Sequence, residues 1–168
     1  MQPIKTEVVF STPFFDLLAK TMKPGELPYY SLRVPDFAVM VALTEDDRML
    51  AVRQYRPSVE RYTIELPSGL VDPGETVAEA AARELLEETG YEAAAVEVLG
   101  PMIPEAGRLS NQLWTCFARN VRQVRLPEIG IDVVTYSREE LAQATMAGEF
   151  CHAPHVGSVL LAQFHGKL

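Results

Sequence analysis

Three glutamates near the middle of the chain have the spacing needed to share one face of a helix. Glu84, Glu87 and Glu88 lie three and four residues apart, so they are neighbours on an α-helix, where like charges cost roughly 0.2–0.5 kcal/mol per pair unless something compensates them. Carboxylate oxygens suit Mg²⁺ or Mn²⁺, and Mg²⁺ usually takes one or two carboxylates plus phosphate oxygens of a substrate. The spacing therefore indicates a divalent-metal site for phosphate chemistry, with a solvated acidic helix face as the alternative.

Acidic residues are concentrated around this helix. Residues 60–97 contain ten carboxylates and two arginines, and the whole chain has 15 Lys+Arg against 23 Asp+Glu, a net charge of -8. Such a surface repels polyanions, so nucleic acid and anionic membranes are not expected as partners. A small anionic substrate would need a metal or a local arginine cluster.

The composition predicts one globular domain over residues 1–168. The chain is 48% hydrophobic and 23% charged, which is close to the globular average. Cys116 and Cys151 lie far apart without CxxC spacing, which disfavours a disulfide framework or a zinc ribbon. No signal peptide and no apolar run of about 20 residues is present, so we expect a soluble cytoplasmic protein.

The acidic residues belong to the clearest helix of the sequence. Thr76 and Glu79 have the spacing of a capping box, and Gly90 stands where a glycine would end the helix. These signals predict a helix over about Val77 to Thr89.

Other segments show strand or helix patterns. Strands are predicted at Thr6–Ser11, Tyr29–Val34, Asp36–Thr44, Met49–Tyr55, Tyr62–Leu66, Val96–Leu99, Gln112–Ala118 and Ile131–Tyr136. Helices are predicted at Arg138–Met146 and His155–Phe164. Hairpin-length links outnumber βαβ crossovers, so we expect an α/β (α+β) fold with a largely antiparallel or mixed sheet and a small N-terminal β appendage.

The acidic helix and the loop before it match a known pattern at every fixed position. The positions run Gly69, five residues, Glu75, seven residues, Arg83-Glu84-Leu85, one residue, Glu87-Glu88, one residue, Gly90-Tyr91. This is GX5EX7REUXEEXGU, the Nudix box, and the chain resembles the Nudix hydrolase superfamily on these residues. The resemblance implies an α/β/α sandwich that holds one to three Mg²⁺ or Mn²⁺ ions.

The resemblance also assigns roles by position. Glu84 and Glu88 are the implied main metal ligands, with Glu87 and the backbone carbonyl of Ser68 as further ligands. Four residues have implied structural roles in the box, with Glu75 pairing with Arg83: these are Gly69, Glu75, Arg83 and Gly90. The implied reaction is attack of water on a nucleoside diphosphate linked to another moiety.

The segments before the box resemble one branch of the superfamily. Arg53-Gln54-Tyr55-Arg56-Pro57 and Glu65-Leu66-Pro67-Ser68-Gly69 look like the ADP-ribose pyrophosphatase and nucleoside-diphosphate-sugar hydrolase branch, with Ser68 in place of the usual alanine. The implied activity cleaves ADP-ribose or a related nucleoside diphosphate sugar into a nucleoside monophosphate and a sugar phosphate. Arg56 is the best candidate for a phosphate contact, because a guanidinium grips phosphate bidentately.

Other binding residues have two interpretations each. Arg53 is a weaker candidate than Arg56, since residues 53 and 55 face one side of a strand and residues 54 and 56 the other. Glu65 lies near the metals, holds Arg56 in place, or is structural. Arg108 is a candidate for the sugar or diphosphate, with ordinary loop polarity as the alternative.

The catalytic base is open between three glutamates. By position in the branch it is Glu128, on the loop before the strand at 131–136, while Glu105 and Glu87 are the alternatives. His152 and His155 are interpreted as a loop entering the last helix, without a carboxylate partner nearby, and a zinc site is the less favoured alternative.

The branch usually forms homodimers in which an N-terminal β region completes the partner's site. Here residues 1–35 are the implied dimer region and residues 36–168 the Nudix core, with Phe10, Phe14 and Tyr30 among the aromatics that either reach a partner or fill the core. Two other functions are kept as alternatives: hydrolysis of dinucleotide polyphosphates or other nucleotides, and a nucleotide sensor without turnover.

Overall fold

A computed structural model describes residues 2–168 as two β-sheets and three helices. The N-terminal strands are β1 (Lys5–Ser11), β2 (Asp16–Thr21) and β3 (Tyr29–Arg33). The remaining strands are β4 (Phe37–Thr44), β5 (Met49–Arg56), β6 (Arg61–Glu65), β7 (Ser68–Leu70), β8 (Tyr91–Glu92), β9 (Glu97–Met102), β10 (Leu113–Gln123) and β11 (Asp132–Tyr136). The helices are α1 (Val77–Thr89), α2 (Arg138–Met146) and α3 (Ala153–Phe164).

The large sheet is mixed, as the sequence predicts. Its strand order is β11-β5-β4-β10-β8, with β6 on β5, β7 on β4 and β9 on β10. Strands β4 and β10 are parallel and the other pairs are antiparallel. Parallel neighbours need a long crossover, and the chain between β4 and β10 supplies it through α1.

Strand β4 is buried on both faces because helices cover each side of the sheet. Residues 38–44 are all buried. Ala38, Met40 and Ala42 pack with Leu85 of α1. The alternate residues pack with α2 and α3, in a core that contains Val39, Val41, Leu43, Leu141, Phe150 and Ala162. This confirms the predicted α/β/α sandwich.

Helix α1 has the predicted bounds and caps. The Thr76 side chain accepts a hydrogen bond from the Glu79 N–H, and the Glu79 side chain accepts one from the Thr76 N–H. Gly90 has φ 76° and its N–H donates to the Leu86 carbonyl. A Cβ at Gly90 would also overlap the carbonyl oxygen of Arg125, so glycine is required there for conformation and for space.

Several elements differ from the sequence prediction: the two-residue strand β8 was not predicted, and β9 and β10 run past their predicted ends at Leu99 and Ala118. β2 lies at the centre of the N-terminal sheet, where no strand was predicted because Leu17, Leu18 and Ala19 break the alternation of polar and apolar residues. The short strand β7 was also missed, since Ser68–Leu70 has turn-like composition. α3 begins two residues earlier than predicted, with Pro154 in its first turn.

The N-terminal sheet contacts the loop before β10. Its strand order is β1-β2-β3. Leu32 of β3 forms two backbone hydrogen bonds with the segment 108–110: its N–H donates to the Arg108 carbonyl at 2.7 Å, and its carbonyl accepts from the Ser110 N–H at 3.1 Å.

Among residues 2–168, no helix has the length and apolar character needed to cross a membrane.

Candidate active site

Glu88 lies in the wedge between α1, β5 and β7. It is only 7% exposed, its Oε2 accepts a hydrogen bond from the Ser68 N–H at 2.9 Å, and Gln54 Nε2 lies 3.5 Å from Oε1. Burial raises the pKa of Glu88 to about 7, and the charge of Glu84 adds to the rise. The Ser68 N–H and the Gln54 amide fix the orientation of the Glu88 carboxylate, but neither group carries a positive charge that would neutralise it.

Glu84 is the second carboxyl group of this face and is partly buried. Its side chain is 15% exposed, and Oε1 lies 2.6 Å from Arg83 Nη1. Burial raises the pKa of Glu84 despite Arg83, with the charge of Glu87 adding to the rise. Two carboxylates on adjacent turns of α1 with raised pKa values are a donor set that a divalent cation stabilises, so these residues fit the implied metal.

Gly69 makes room for the Glu84 carboxylate. A Cβ at position 69 would overlap the Glu84 side chain. Residue 69 pairs with Ala38 in β7–β4, so a buried strand holds the backbone in place. Any larger residue at position 69 would displace the Glu84 carboxylate, so this packing requires glycine.

Arg83 ties the loop before α1 to the helix. Its Nε and Nη2 lie 2.9 and 3.0 Å from the two oxygens of Glu75, and Nη2 also donates to the Leu70 carbonyl at 3.0 Å. The hydrogen bond from Arg83 lowers the pKa of Glu75. The loop therefore approaches α1 in a fixed geometry that places Ser68 and Gly69 against Glu84 and Glu88.

Arg56 and Glu65 form a second fixed pair beside Glu88. Arg56 Nε and Nη2 donate to Glu65 Oε1 and Oε2 at 2.9 and 2.7 Å, and the Thr63 hydroxyl donates to Oε1 at 2.6 Å. Burial alone would raise the pKa of Glu65, but the hydrogen bonds from Arg56 and Thr63 lower it to about 2. Of the three sequence alternatives for Glu65, this geometry corresponds to holding Arg56 in place.

Arg53 and Arg108 are placed away from the buried carboxylates. Arg53 Nη1 lies 3.1 Å from Asp132 Oδ2, and its guanidinium lies 4.1 Å from the centre of the Tyr62 ring. It projects from the side of β5 opposite to Gln54, which contacts Glu88. Arg108 stacks on the Tyr29 ring at 4.5 Å, at the junction with the N-terminal sheet.

The candidate bases occupy different surroundings. Glu128 N–H donates to the Glu87 carbonyl at 3.1 Å, so the loop with Glu128 is fastened to α1 beside Glu87, whose side chain is 48% exposed. Glu105 instead accepts the Gly107 N–H at 2.6 Å within its own turn. The structure brings Glu128 and Glu87 together and gives the Glu105 carboxylate a local partner.

The two histidines have an acidic neighbour, contrary to the sequence interpretation. His152 Nδ1 lies 3.7 Å from Glu65 Oε2, and ligand atoms of Glu65, His152 and His155 lie within 4.8 Å of one another. The Leu66 N–H donates to His155 Nδ1 at 3.0 Å, and burial lowers the pKa of His155 to about 3. His155 is therefore neutral and its Nδ1 lone pair is already used, which does not favour metal binding.

Sequence reasoning missed Gln54 and Thr63 as members of the site. Gln54 contacts Glu88 and Thr63 contacts Glu65. The alternation that puts residues 54 and 56 on one face of β5 was the available signal for Gln54. Thr63 gave no such signal, because its role depends on the pairing of β5 with β6.

The chain is similar in sequence to known proteins. The family model for the NUDIX domain matches residues 34–145. A methanol dehydrogenase activator of Bacillus methanolicus is 35% identical over 102 residues, covering 57% of this chain and 54% of that protein. An ADP-ribose pyrophosphatase of Bacillus subtilis is 33% identical over 96 residues, covering 54% and 50%.

Two further matches concern proteins described as ADP compounds hydrolases. The Escherichia coli (strain K12) protein NudE is 46% identical over 54 residues, covering 32% of this chain and 29% of that protein. A crystal structure of an ADP compounds hydrolase superposes with a TM-score of 0.82 and 22% identity, covering 100% of this chain and 98% of the other. The sequence matches span about half or less of these curated relatives, while the structural match covers the whole fold.

Proposed function

The chain belongs to the Nudix family, and from this premise we propose that it is a metal-dependent pyrophosphohydrolase that cleaves the diphosphate bond of ADP-ribose or a related nucleoside diphosphate sugar. The observation that carries the proposal is the buried Glu88 beside the partly buried Glu84, with Ser68 and Gly69 held against them by the Arg83–Glu75 brace. Carboxylates placed together in a site that raises both their pKa values are stabilised by a bound cation. A diphosphate is the anionic group that such a cation would recruit.

Glu84 and Glu88, with Glu87 and the Ser68 carbonyl, would hold Mg²⁺ or Mn²⁺. When bound, the metal supplies charge neutralisation of the diphosphate and a lower pKa for the attacking water. Glu88 is already oriented for this by the Ser68 N–H. Gln54, on the other oxygen, keeps the carboxylate plane fixed.

The remaining residues bind the diphosphate and move a proton. Arg56 presents a guanidinium that Glu65 holds in place, so little side-chain entropy is lost when it binds phosphate oxygens. Glu128 takes a proton from the attacking water, with Glu87 as its neighbour on α1. The water oxygen bonds to one phosphorus and the bridging oxygen leaves with the other, which gives a nucleoside monophosphate and a sugar phosphate.

The substrate class is supported by the relatives and by the segments before the box. Relatives named ADP-ribose pyrophosphatase and ADP compounds hydrolase match this chain. The Arg56–Glu65 pair is built from the two branch-like segments, Arg53–Pro57 and Glu65–Gly69. The non-catalytic alternative is disfavoured because every glutamate of the box is present.

We also propose that two copies of the chain associate through the N-terminal sheet. All seven residues of β1 are exposed, and Val8, Phe10 and Tyr30 are 51%, 58% and 49% exposed. A strand that exposes apolar side chains without cover on either face is typical of a surface that contacts a partner.

A turnover screen tests the activity. ADP-ribose, ADP-glucose, GDP-mannose, UDP-glucose and diadenosine polyphosphates are incubated with the protein and Mg²⁺, and products are identified by mass. Release of a nucleoside monophosphate and a sugar phosphate is expected, and Glu88→Gln is expected to lower kcat by at least about 10²-fold with the fold retained. Glu92→Gln, at an exposed ion pair with Arg122, is the control. Wild-type rates in Glu88→Gln, or turnover of diadenosine polyphosphates alone, would contradict the proposal.

A further inference from the structure

A cavity of about 260 Å³ opens beside the Arg56–Glu65 pair. It lies between the β5–β6 hairpin and the start of α3. Six of the residues that line it have a guanidinium, hydroxyl, thiol or imidazole group: Arg56, Ser58, Arg61, Thr63, Cys151 and His152. The cavity therefore adjoins the proposed diphosphate site through Arg56, which belongs to both.

Charges around this cavity do not cancel. Glu65 is in the wall, but its oxygens already accept hydrogen bonds from Arg56 and Thr63, so its charge is compensated. Arg61 forms no ion pair with any carboxylate of residues 2–168, and its side-chain hydrogen bond runs from Nη2 to Cys151 Sγ at 3.5 Å. One cationic group thus faces the cavity without an anion.

The start of α3 adds positive potential on the same side. His152 is the N-cap residue and lines the cavity. Its side chain makes no capping hydrogen bond, and the first turn of α3 has no acidic residue. A helix N-terminus carries partial positive charge that favours anions. Arg56 and Thr63 balance Glu65, so the Arg61 guanidinium, the Ser58 hydroxyl and this helix end leave the cavity with a net preference for an anion.

We propose that this cavity binds an anionic group, a phosphate or a carboxylate, carried by the moiety on the far side of the diphosphate from the nucleoside, with Arg61 as the specificity-determining residue. This rests on the proposed function, because it assigns Arg56 to the diphosphate and places the far moiety beyond it. Substrates whose sugar carries an extra negative charge are then preferred over neutral sugars, despite the net charge of -8 on the chain.

A matched substrate pair tests the preference. UDP-glucuronate differs from UDP-glucose by a carboxylate on the sugar, and the wild-type protein is expected to favour it in kcat/KM by about tenfold, the contribution of one charge-assisted hydrogen bond. Arg61→Gln should abolish the preference and Arg61→Lys should retain part of it. Arg122→Gln removes an exposed arginine elsewhere and serves as the control. An unchanged ratio in Arg61→Gln would overturn the proposal.

Thiol protection gives a second readout that does not require turnover. Cys151 is exposed and Cys116 is buried, so iodoacetamide should alkylate Cys151 selectively, followed by mass spectrometry. Glucuronic acid 1-phosphate, used as the probe, should slow alkylation of the wild-type protein by about tenfold, each variant being compared with itself without the probe. It should protect Arg61→Gln no better than glucose 1-phosphate, which lacks the carboxylate, protects the wild type. Equal protection in Arg61→Gln, or none in the wild type, would overturn the inference.

The two readouts separate this inference from the proposed function. Hydrolysis of ADP-ribose without protection of Cys151 would support the proposed activity and contradict the anion site. Protection of Cys151 that depends on Arg61, in a protein that hydrolyses no diphosphate sugar, would keep an anion-binding cavity and contradict the activity.

Discussion

Two buried glutamates of this chain titrate in opposite directions. Glu65 is 3% exposed and Glu88 is 7% exposed, yet the pKa of Glu65 falls to about 2 and that of Glu88 rises to about 7. Burial opposes ionisation in both cases. Arg56 supplies a full positive charge to Glu65, whereas Glu88 has a backbone N–H, an amide and the negative charge of Glu84. Arg56 neutralises Glu65 by direct hydrogen bonds but forms none with Glu88, which agrees with the proposed role of Glu88 as a metal ligand.

The pairing of Glu65 predicts a pH-dependent contribution to stability. Its pKa falls from 4.5 to about 2 on folding, so the stabilisation is fully present above pH 4.5 and is lost as the pH falls toward 2. Glu65→Gln should therefore lower the free energy of unfolding by about 3 kcal/mol at pH 7, and the difference from wild type should shrink between pH 4.5 and pH 2. Urea unfolding at several pH values measures it.

The control is Glu7→Gln, at an exposed position of β1. Its unfolding free energy should stay within about 0.5 kcal/mol of wild type at pH 7. A difference for Glu65→Gln that stays constant down to pH 2 would show that the ion pair is not the cause.

Glu128 is expected to act on the proton of the attacking water. Glu128→Gln should lower kcat by about 10²-fold or more with little change in KM, because a general base acts in the transition state and not in ground-state binding. Steady-state kinetics with ADP-ribose measure both constants. Glu105→Gln, whose carboxylate is used in its own turn, should have nearly wild-type rates. A loss of only a few fold in Glu128→Gln would transfer the role to Glu87 or Glu105.

Among the secondary-structure elements, those with local sequence signals were predicted best. Helix α1 has its own caps, Thr76 and Gly90, and its bounds were correct. β2 was missed because its identity as a strand comes from its partners β1 and β3 rather than from its own pattern. The contact of His152 with Glu65 joins residues 87 positions apart, so no local signal could indicate it.

The fit between β7 and α1 predicts a selective effect at Gly69. Gly69→Ala places a Cβ against the Glu84 carboxylate, which must move while the strand pairing of β7 remains. We expect Mg²⁺ affinity to fall by about tenfold or more, measured by isothermal titration calorimetry, in a protein that still unfolds cooperatively.

The matched control for Gly69→Ala is Gly157→Ala in α3. A Cβ at Gly157 would lie 3.6 Å from the Met102 sulfur, an ordinary contact, and alanine is the better helix former. Mg²⁺ affinity should be unchanged there and stability equal or higher. Equal Mg²⁺ affinity in both variants would mean that Glu84 is not part of the metal site.

The accessible surface of the protein is larger than that expected for a compact monomer of its mass. A compact monomer of 18.7 kDa is expected to expose roughly 8,300 Å², whereas this chain exposes 9738 Å². The N-terminal sheet contributes to this surface, because β1 is exposed along its full length. An excess of this size is more than the roughly 800 Å² per partner that a standard interface buries, which leaves room for a dimer contact.

The proposed dimer gives the last prediction. Wild-type protein should sediment with twice the chain mass of 18.7 kDa. Val8→Glu with Phe10→Glu places charges on β1, where a desolvated carboxylate would oppose association, so this variant should sediment as a monomer with its helices intact by circular dichroism. Phe164→Glu, 80% exposed at the end of α3, should remain dimeric. If activity falls only in the β1 variant, the partner's N-terminal sheet completes the site; a wild-type monomer with full activity would instead mean that each chain works alone and that the exposed apolar strand serves another contact.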